Sequence, residues 1–356
     1  MMNIAFTGWS TGGHVFPIRS LIQYIKSKPE INAKFETTYW FGEKDSMEER
    51  ICAELQGQYT NITFATVIAG KVRREHDVRA LLLNIIDLFR FVWWVIMMVV
   101  KFPRYHVDVV FCKGGFVSLP LTIAAWIWRK DVYVHESDTR AGLATRICGH
   151  LATHNFSGFP DTLPNSTTIG QIMGDDLTAS HRYHYGDPTK TNLLITWGSL
   201  WAKAIYEAVG KLGVQWDFKS FNIIIILGAL NINMRPQFEW RTHIIERADQ
   251  STMWSLYQRA DICICRGGTT SLAEMEIFGI RKLIIPLPIT HDQQTNAQYY
   301  IDHHGDHLIM QDSQITISLK QSLEQYIWYH KSPINLKEIS KKIDFAKEKI
   351  MKYIIS

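Results

Sequence analysis

Residues 3–7, NIAFT, form a short apolar run that stops at a glycine turn, TGWSTGG, and passes straight into a helical pattern lasting to about Lys26. A strand that ends on glycines and runs directly into a helix cannot return as a hairpin, so the next strand must lie parallel to it. Residues 38–41 supply that strand, and the whole unit restarts at residues 191–212 as TNLLITWGSLWAKAIYEAVGKL. Strand and helix therefore alternate twice from a glycine turn. This predicts an α/β chain of two doubly wound, Rossmann-like domains facing across a cleft. The length, 356 residues, agrees, because one hydrophobic core seldom serves so long a chain.

The alternation weakens across FPDTLPNSTTIG, residues 159–170, which reads as a linker. The expected domains are therefore 1–160 and 161–335. A closing helix over 336–356 is expected to pack back on the first domain. With 46% apolar and 20% charged residues, extended disorder is excluded. A net charge of +4 is too weak to argue for nucleic acid yet suits an anionic partner. The five cysteines, Cys52, Cys112, Cys148, Cys263 and Cys265, have neither zinc-site spacing nor a disulfide framework, which predicts a reducing compartment. The opening residues go directly into a strand and lack the features of a secretion signal.

Chemistry concentrates at 262–297, ICICRGGTTSLAEMEIFGIRKLIIPLPITHDQQTNA. A strand stops at Gly267 and Gly268, and a helix opens with Thr269, Thr270 and Ser271 as cap candidates. Bare backbone N–H groups at a helix N-terminus favour a diphosphate. Glu274, about one turn inside, could accept from two vicinal ribose hydroxyls or could simply favour the helix N-terminus. The polar cluster His291, Asp292, Gln293, Gln294 and Asn296, after a second strand at 282–286, favours the ligand reading.

The first half carries three further loops. Thr11, Gly12 and Gly13 precede His14, with Pro17 expected in the first turn of the helix. The spacing is not G-x-G-x-x-G, so neither NAD nor FAD is expected as a cofactor. His14 could serve as a general base or donate to a phosphate. FCKGGFVSLP, 111–120, brings Gly114 and Gly115 after a strand at 107–111. YVHESDTRAGLATRI, 133–147, ends a strand in His135, Glu136 and Asp138. All three loops leave the carboxyl ends of parallel strands, where open α/β sheets bind ligands.

LLLNIIDLFRFVWWVIMMVV, residues 81–100, is apolar enough to raise the question of a membrane span. Asn84, Asp87 and Arg90 argue against one, and the uninterrupted run from Phe91 to Val100 is shorter than the roughly 20 residues a span needs. Arg73, His76, Arg79, Asn84, Asp87 and Arg90 share one helical arc opposite the apolar residues. Trp94 and Met97 continue that arc into the wholly apolar part. With Lys71, Arg73 and Arg74 before it and Lys101 and Arg104 after it, the stretch 71–104 suits a monotopic contact with an anionic membrane surface. Buried core helices are the alternative.

In order, TGGHVFP, KGGFVSLP, HESDTRAGL, ITWGS, RGGTTSLAE and HDQQTNA resemble the MurG family of glycosyltransferases, over about residues 3–300. The resemblance implies a GT-B fold and inverting transfer of N-acetylglucosamine from UDP-GlcNAc to lipid I, giving lipid II, in peptidoglycan synthesis. It implies no required metal. It also implies a peripheral location on the cytoplasmic face of the cell membrane, reached through residues 71–104. The donor would meet Ser199, Gly267, Gly268 and Thr269, with Glu274 at the ribose and Gln293 and Gln294 at the sugar. The polyprenyl-pyrophosphate-linked acceptor would meet Thr11, Gly12, Gly13, Gly114 and Gly115. His14, Glu136 or Asp138 would take the proton of the attacking hydroxyl.

Three departures stand out. WGSLWA at 197–202 replaces GGSQGA, HESD at 135–138 replaces HEQN, and GQIM at 170–173 replaces GNPV. An Asp in place of an amide repels incoming pyrophosphate unless it is protonated or acts as a base. Other readings of the same residues are a UDP-GlcNAc 2-epimerase, a lipid glycosyltransferase with a different acceptor, and a degenerate sugar-nucleotide-binding protein without catalysis.

Overall fold

The computed structural model describes residues 1–9, 12–67, 78–174, 185–196, 203–216, 218–227, 242–288 and 291–356. It divides into two units, residues 1–174 with 343–356, and residues 175–342.

The first unit runs β1 (Met2–Thr7), α1 (Gly12–Ser27), a one-turn α2 (Pro29–Asn32), β2 (Phe35–Gly42), α3 (Met47–Gln56), β3 (Ile62–Thr66) and α4 (Val78–Lys101). It continues with β4 (Val109–Cys112), α5 (Ser118–Ile127), β5 (Asp131–Glu136), α6 (Leu143–Leu151), β6 (His154–Ser157) and β7 (Ser166–Thr168). The strands form one parallel sheet in the order β3-β2-β1-β4-β5-β6-β7. Period-two alternation sorts their side chains onto two cores. Ile4, Phe6, Val109 and Phe111 pack on one face against Ile18 and Ile22 of α1. Ala5, Val110 and Cys112 pack on the other against Met98 of α4 and Leu121 of α5.

The second unit runs β8 (Thr191–Thr196), α7 (Lys203–Gln215), β9 (Phe221–Ile226), β10 (Thr242–Ile245), α8 (Gln250–Arg259), β11 (Ile262–Cys265) and α9 (Thr269–Ile277). Then come β12 (Arg281–Ile284), α10 (His291–His304), β13 (His307–Leu308), α11 (Ile315–Glu324) and α12 (Leu336–Ile355), whose last residues belong to the first unit. Its sheet is again parallel, in the order β10-β9-β8-β11-β12-β13. Ala346, Ile350, Met351 and Ile354 of α12 complete the first unit's core beside α1, and the Tyr133 hydroxyl donates to the Tyr353 carbonyl at 2.9 Å.

The structure differs from expectation in four places. Residues 159–170 are not a linker: Ser166–Thr168 add edge strand β7 beside β6, and the division between units falls after Gly174. The polar residues of β7 are tolerated because an edge strand needs ladder bonds on one side only, and Pro160 and Pro164 fall before it. The strands expected at 107–111 and 282–286 are β4 and β12, offset by one or two residues. Gly268, not Thr269, Thr270 or Ser271, is the N-cap of α9, and no side chain caps that helix. Pro17 lies inside α1 beyond its first turn, so it withholds an N–H from the Gly13 carbonyl.

Candidate active site

The strand order of the first unit reverses between β1 and β4, and in such sheets the crevice outside the strand ends at that point receives ligands. Thr7 pairs with Cys112, so the loops that follow leave side by side, and the Lys113 N–H donates to the Thr7 carbonyl at 2.8 Å. His14 closes the same crevice, its Nδ1 standing 2.9 Å from the Lys113 carbonyl. A carbonyl only accepts, so Nδ1 carries the proton and Nε2 keeps its lone pair. Burial, reinforced by the positive charge of Lys113, pushes the imidazole down to about 4, which leaves it neutral at pH 7. His14 is thus set in the tautomer a general base requires.

The glycines divide by role. Gly114 and Gly115 both have positive φ, and a Cβ on either would collide, with the Thr145 hydroxyl and the Trp9 side chain respectively. They hold the shape of the loop. Gly13 faces open space and leaves room for a ligand against the helix start, whereas a Cβ on Gly12 would crowd the Phe16 ring. Thr11 lies outside the described residues.

Glu136 and Asp138 behave differently from one another. Glu136 is buried, and its Oε1 accepts the Ser137 N–H at 2.7 Å and the Asp138 N–H at 3.0 Å. Burial raises its pKa while Lys113 opposes that rise, so its evident work is to shape the loop. Asp138 is half-buried. His135 Nε2 donates to the Gly170 carbonyl at 2.9 Å, and Gln171 Nε2 donates to the Ser137 carbonyl at 2.6 Å. The GQIM segment therefore braces the HESD loop, a role not visible in the sequence because the two segments lie more than thirty residues apart.

In the second unit the strand order reverses between β8 and β11. The loop after β8, with Ser199, Trp197, Leu200 and Trp201, lies outside the described residues. The loop after β11 is built closely against its neighbours. A Cβ on Gly267 would collide with the Gln293 carbonyl oxygen, and Asn296 Nδ2 donates to the Gly267 carbonyl at 3.3 Å. Arg266, buried, donates from Nη1 to the Ile285 carbonyl at 3.0 Å and to Gln311 Oε1 at 2.7 Å. Gln293 Oε1 accepts the Leu287 N–H at 3.0 Å, which leaves the NH₂ end of that amide as its donor. Three segments, 266–268, 285–288 and the start of α10 with Gln293 and Gln294, are thereby fixed together.

Gly268 leaves the first N–H groups of α9 without a side-chain cap, and Thr269 is buried directly after it. Glu274 stands further along α9, and burial pushes its carboxyl up to about 8, with no charged group among the described residues offsetting the rise. Arg266 was the residue least visible in the sequence. Its only signal was its place before the glycine pair. Among the described residues, no group of three or more His, Cys, Asp and Glu side chains is placed to hold a metal ion.

Helix α4 buries Met98 and exposes Phe89, Val92, Trp93, Ile96 and Val100, a single stripe at helical spacing. Phe89 is 72% and Trp93 60% exposed, so the core-helix alternative fails for this face. Trp94 and Met97 are half-buried. The Trp128 indole donates to the Val99 carbonyl at 2.8 Å, bringing exposed Trp126, Ile127 and Trp128 beside the stripe. Residues 71–77 lie outside the described part, and among the described residues no helix is long and apolar enough to cross a membrane.

Two parallel sheets, each wound in Rossmann order with a glycine loop at its point of reversal, give the chain the two-domain architecture of the GT-B class. The model of the glycosyltransferase family 28 N-terminal domain matches residues 4–157 and that of the family 28 C-terminal domain matches residues 192–354; the chain belongs to glycosyltransferase family 28. Similar curated proteins bear the name UDP-N-acetylglucosamine--N-acetylmuramyl-(pentapeptide) pyrophosphoryl-undecaprenol N-acetylglucosamine transferase. The one from Streptococcus thermophilus is 28% identical, over 96% of this chain and 95% of its own length. The one from Staphylococcus carnosus is 28% identical over 100% of this chain and 97% of its own. Among solved structures, Acinetobacter baumannii MurG superposes with a TM-score of 0.69 at 20% identity, covering 100% of this chain and 98% of that one. UDP-GlcNAc 2-epimerase from Neisseria meningitidis, bound to UDP-GlcNAc, gives 0.62 at 14% identity, covering 100% of both chains.

Proposed function

We propose that this chain is an inverting transferase that moves N-acetylglucosamine from UDP-GlcNAc to lipid I, forming lipid II in peptidoglycan synthesis. The observation that carries the chemistry is His14, held neutral with Nδ1–H on the Lys113 carbonyl and its Nε2 lone pair available. In this reading Nε2 takes the proton of the acceptor sugar hydroxyl as that oxygen attacks the anomeric carbon, and UDP departs from the opposite face. The uncapped N-terminus of α9 and the polar start of α10 receive the diphosphate and sugar of the donor, with Glu274 at the ribose. Gly12, Gly13, Gly114 and Gly115 shape the acceptor side. The apolar stripe of α4, with Arg90, Lys101 and Arg104 around it, rests on an anionic membrane surface on the cytoplasmic side, where a lipid-linked acceptor is presented.

A 2-epimerase shares the donor chemistry but has no use for that apolar face or for an acceptor. The fate of the sugar, transferred or inverted at C2, therefore separates the two. UDP should be released from UDP-GlcNAc only when lipid I is present, and His14→Ala should lower kcat far more than it raises either KM. A sugar epimerised at C2 in the absence of acceptor, whether or not UDP is released, would overturn the transferase reading. Near-normal turnover of the His14 variant would remove His14 from the chemistry.

A further inference from the structure

Two buried polar side chains tie the loop after β5 to the segment after β7. Gln171 Nε2 donates to the Ser137 carbonyl at 2.6 Å, and a Cβ on Gly158 would collide with that amide, so the glycine makes room for it. His135 Nε2 donates to the adjacent Gly170 carbonyl at 2.9 Å. Gln171 Oε1 and His135 Nδ1 are buried with no hydrogen-bond partner among the described residues, a cost that apolar side chains of similar size would not carry. Ser137 continues the line. Its hydroxyl accepts from the Lys113 ammonium at 2.5 Å, and the carbonyl of that buried lysine receives the Nδ1–H of His14 at 2.9 Å. The Lys113 N–H is itself held by the Thr7 carbonyl at 2.8 Å, so residue 113 is pinned at its N–H, its carbonyl and its ammonium.

We infer that Gln171 is a positioning residue for His14, acting through Ser137 and Lys113. This rests on the reading of His14 as the general base. Gln171 fixes the place of Ser137, Ser137 fixes the lysine side chain, and the lysine carbonyl sets the tautomer and direction of the imidazole. The departure GQIM for GNPV then has a purpose, since the amide at 171 is longer than asparagine by a methylene and meets the Ser137 carbonyl. Without that donor the loop that anchors Lys113 can shift. Displacement of a catalytic group by about 1 Å can cost on the order of a hundredfold in rate, with no contact to substrate removed.

A double-mutant cycle on the full chain tests this, with kcat, both KM values and thermal midpoint measured for the parent, Gln171→Met, Ser137→Ala and the double variant. Gln171→Met keeps the bulk of the side chain and removes its donor; Gln171→Leu gives the same comparison should the methionine variant not fold. Each single variant should lower kcat about tenfold or more with both KM values within about threefold of the parent, and the double variant should lie within about threefold of Ser137→Ala. Parent kcat in either single variant, or a loss in the double variant equal to the product of the single losses, would overturn the inference. So would a loss confined to the thermal midpoint, which is what a purely structural amide produces. Near-normal turnover of His14→Ala would overturn the general-base reading and this inference with it, whereas an inactive His14→Ala beside a multiplicative cycle would overturn the inference alone.

Discussion

Glu274 carries a burial penalty that no charged group among the described residues offsets. With Glu274 at the ribose as proposed, two hydroxyls donating to it would favour the ionised form, so donor binding would lower a pKa that stands at about 8 in the free protein. Below that value binding releases a proton, and donor affinity should rise with pH and level off above about 8. Calorimetry in buffers of different ionisation heat checks this; heats independent of buffer would place Glu274 away from the ribose. Glu274→Ala should weaken donor binding by about 2 kcal/mol. Because the folded carboxyl titrates above its unfolded value, its contribution to stability is full at acid pH and is lost as pH rises through about 8. The thermal midpoint of Glu274→Gln should therefore gain on the parent as the pH rises. Motifs framed His14, Gly267 and Glu274 as candidates in the sequence. Lys113 and Arg266 were not singled out, since their partners, Ser137 and Gln311, lie 24 and 45 positions away and no local pattern announces such contacts.

At the scale of elements, α4 and α5 present one continuous aromatic surface joined by the Trp128–Val99 hydrogen bond. The periodicity of 81–100 disclosed the α4 stripe. The Trp126–Trp128 extension was silent, because three residues at a helix end have no period to read. Trp93→Ser with Ile96→Ser should release the protein from anionic vesicles in flotation without lowering its thermal midpoint, since both side chains are exposed. A variant that unfolds, or that floats like the parent, would contradict the membrane role. Strand β7 shows the opposite limit. With only three residues, Ser166–Thr168, it is specified by its partner β6 rather than by its own composition, and its polar residues, with Pro160 and Pro164 shortly before them, read as a linker.

For the whole molecule, the strand-loop-helix pattern opening each half made two Rossmann-like domains legible, and the two parallel sheets share the order of their first six strands, with β7 extending the first. The last fourteen residues, 343–356, fold into the first unit's core through Ala346, Ile350, Met351 and Ile354. Their amphipathic period was readable, whereas the residue at which α12 passes from one unit to the other was not, because the helix runs through that point without a break. The central claim is transfer of N-acetylglucosamine to a lipid-linked acceptor, and mass spectrometry of synthetic lipid I incubated with the protein tests it most directly. Addition of one N-acetylhexosamine from UDP-GlcNAc, with little or none from UDP-glucose or UDP-galactose, is the result predicted. Acceptor left unmodified by folded protein, or modified equally from all three donors, would contradict it.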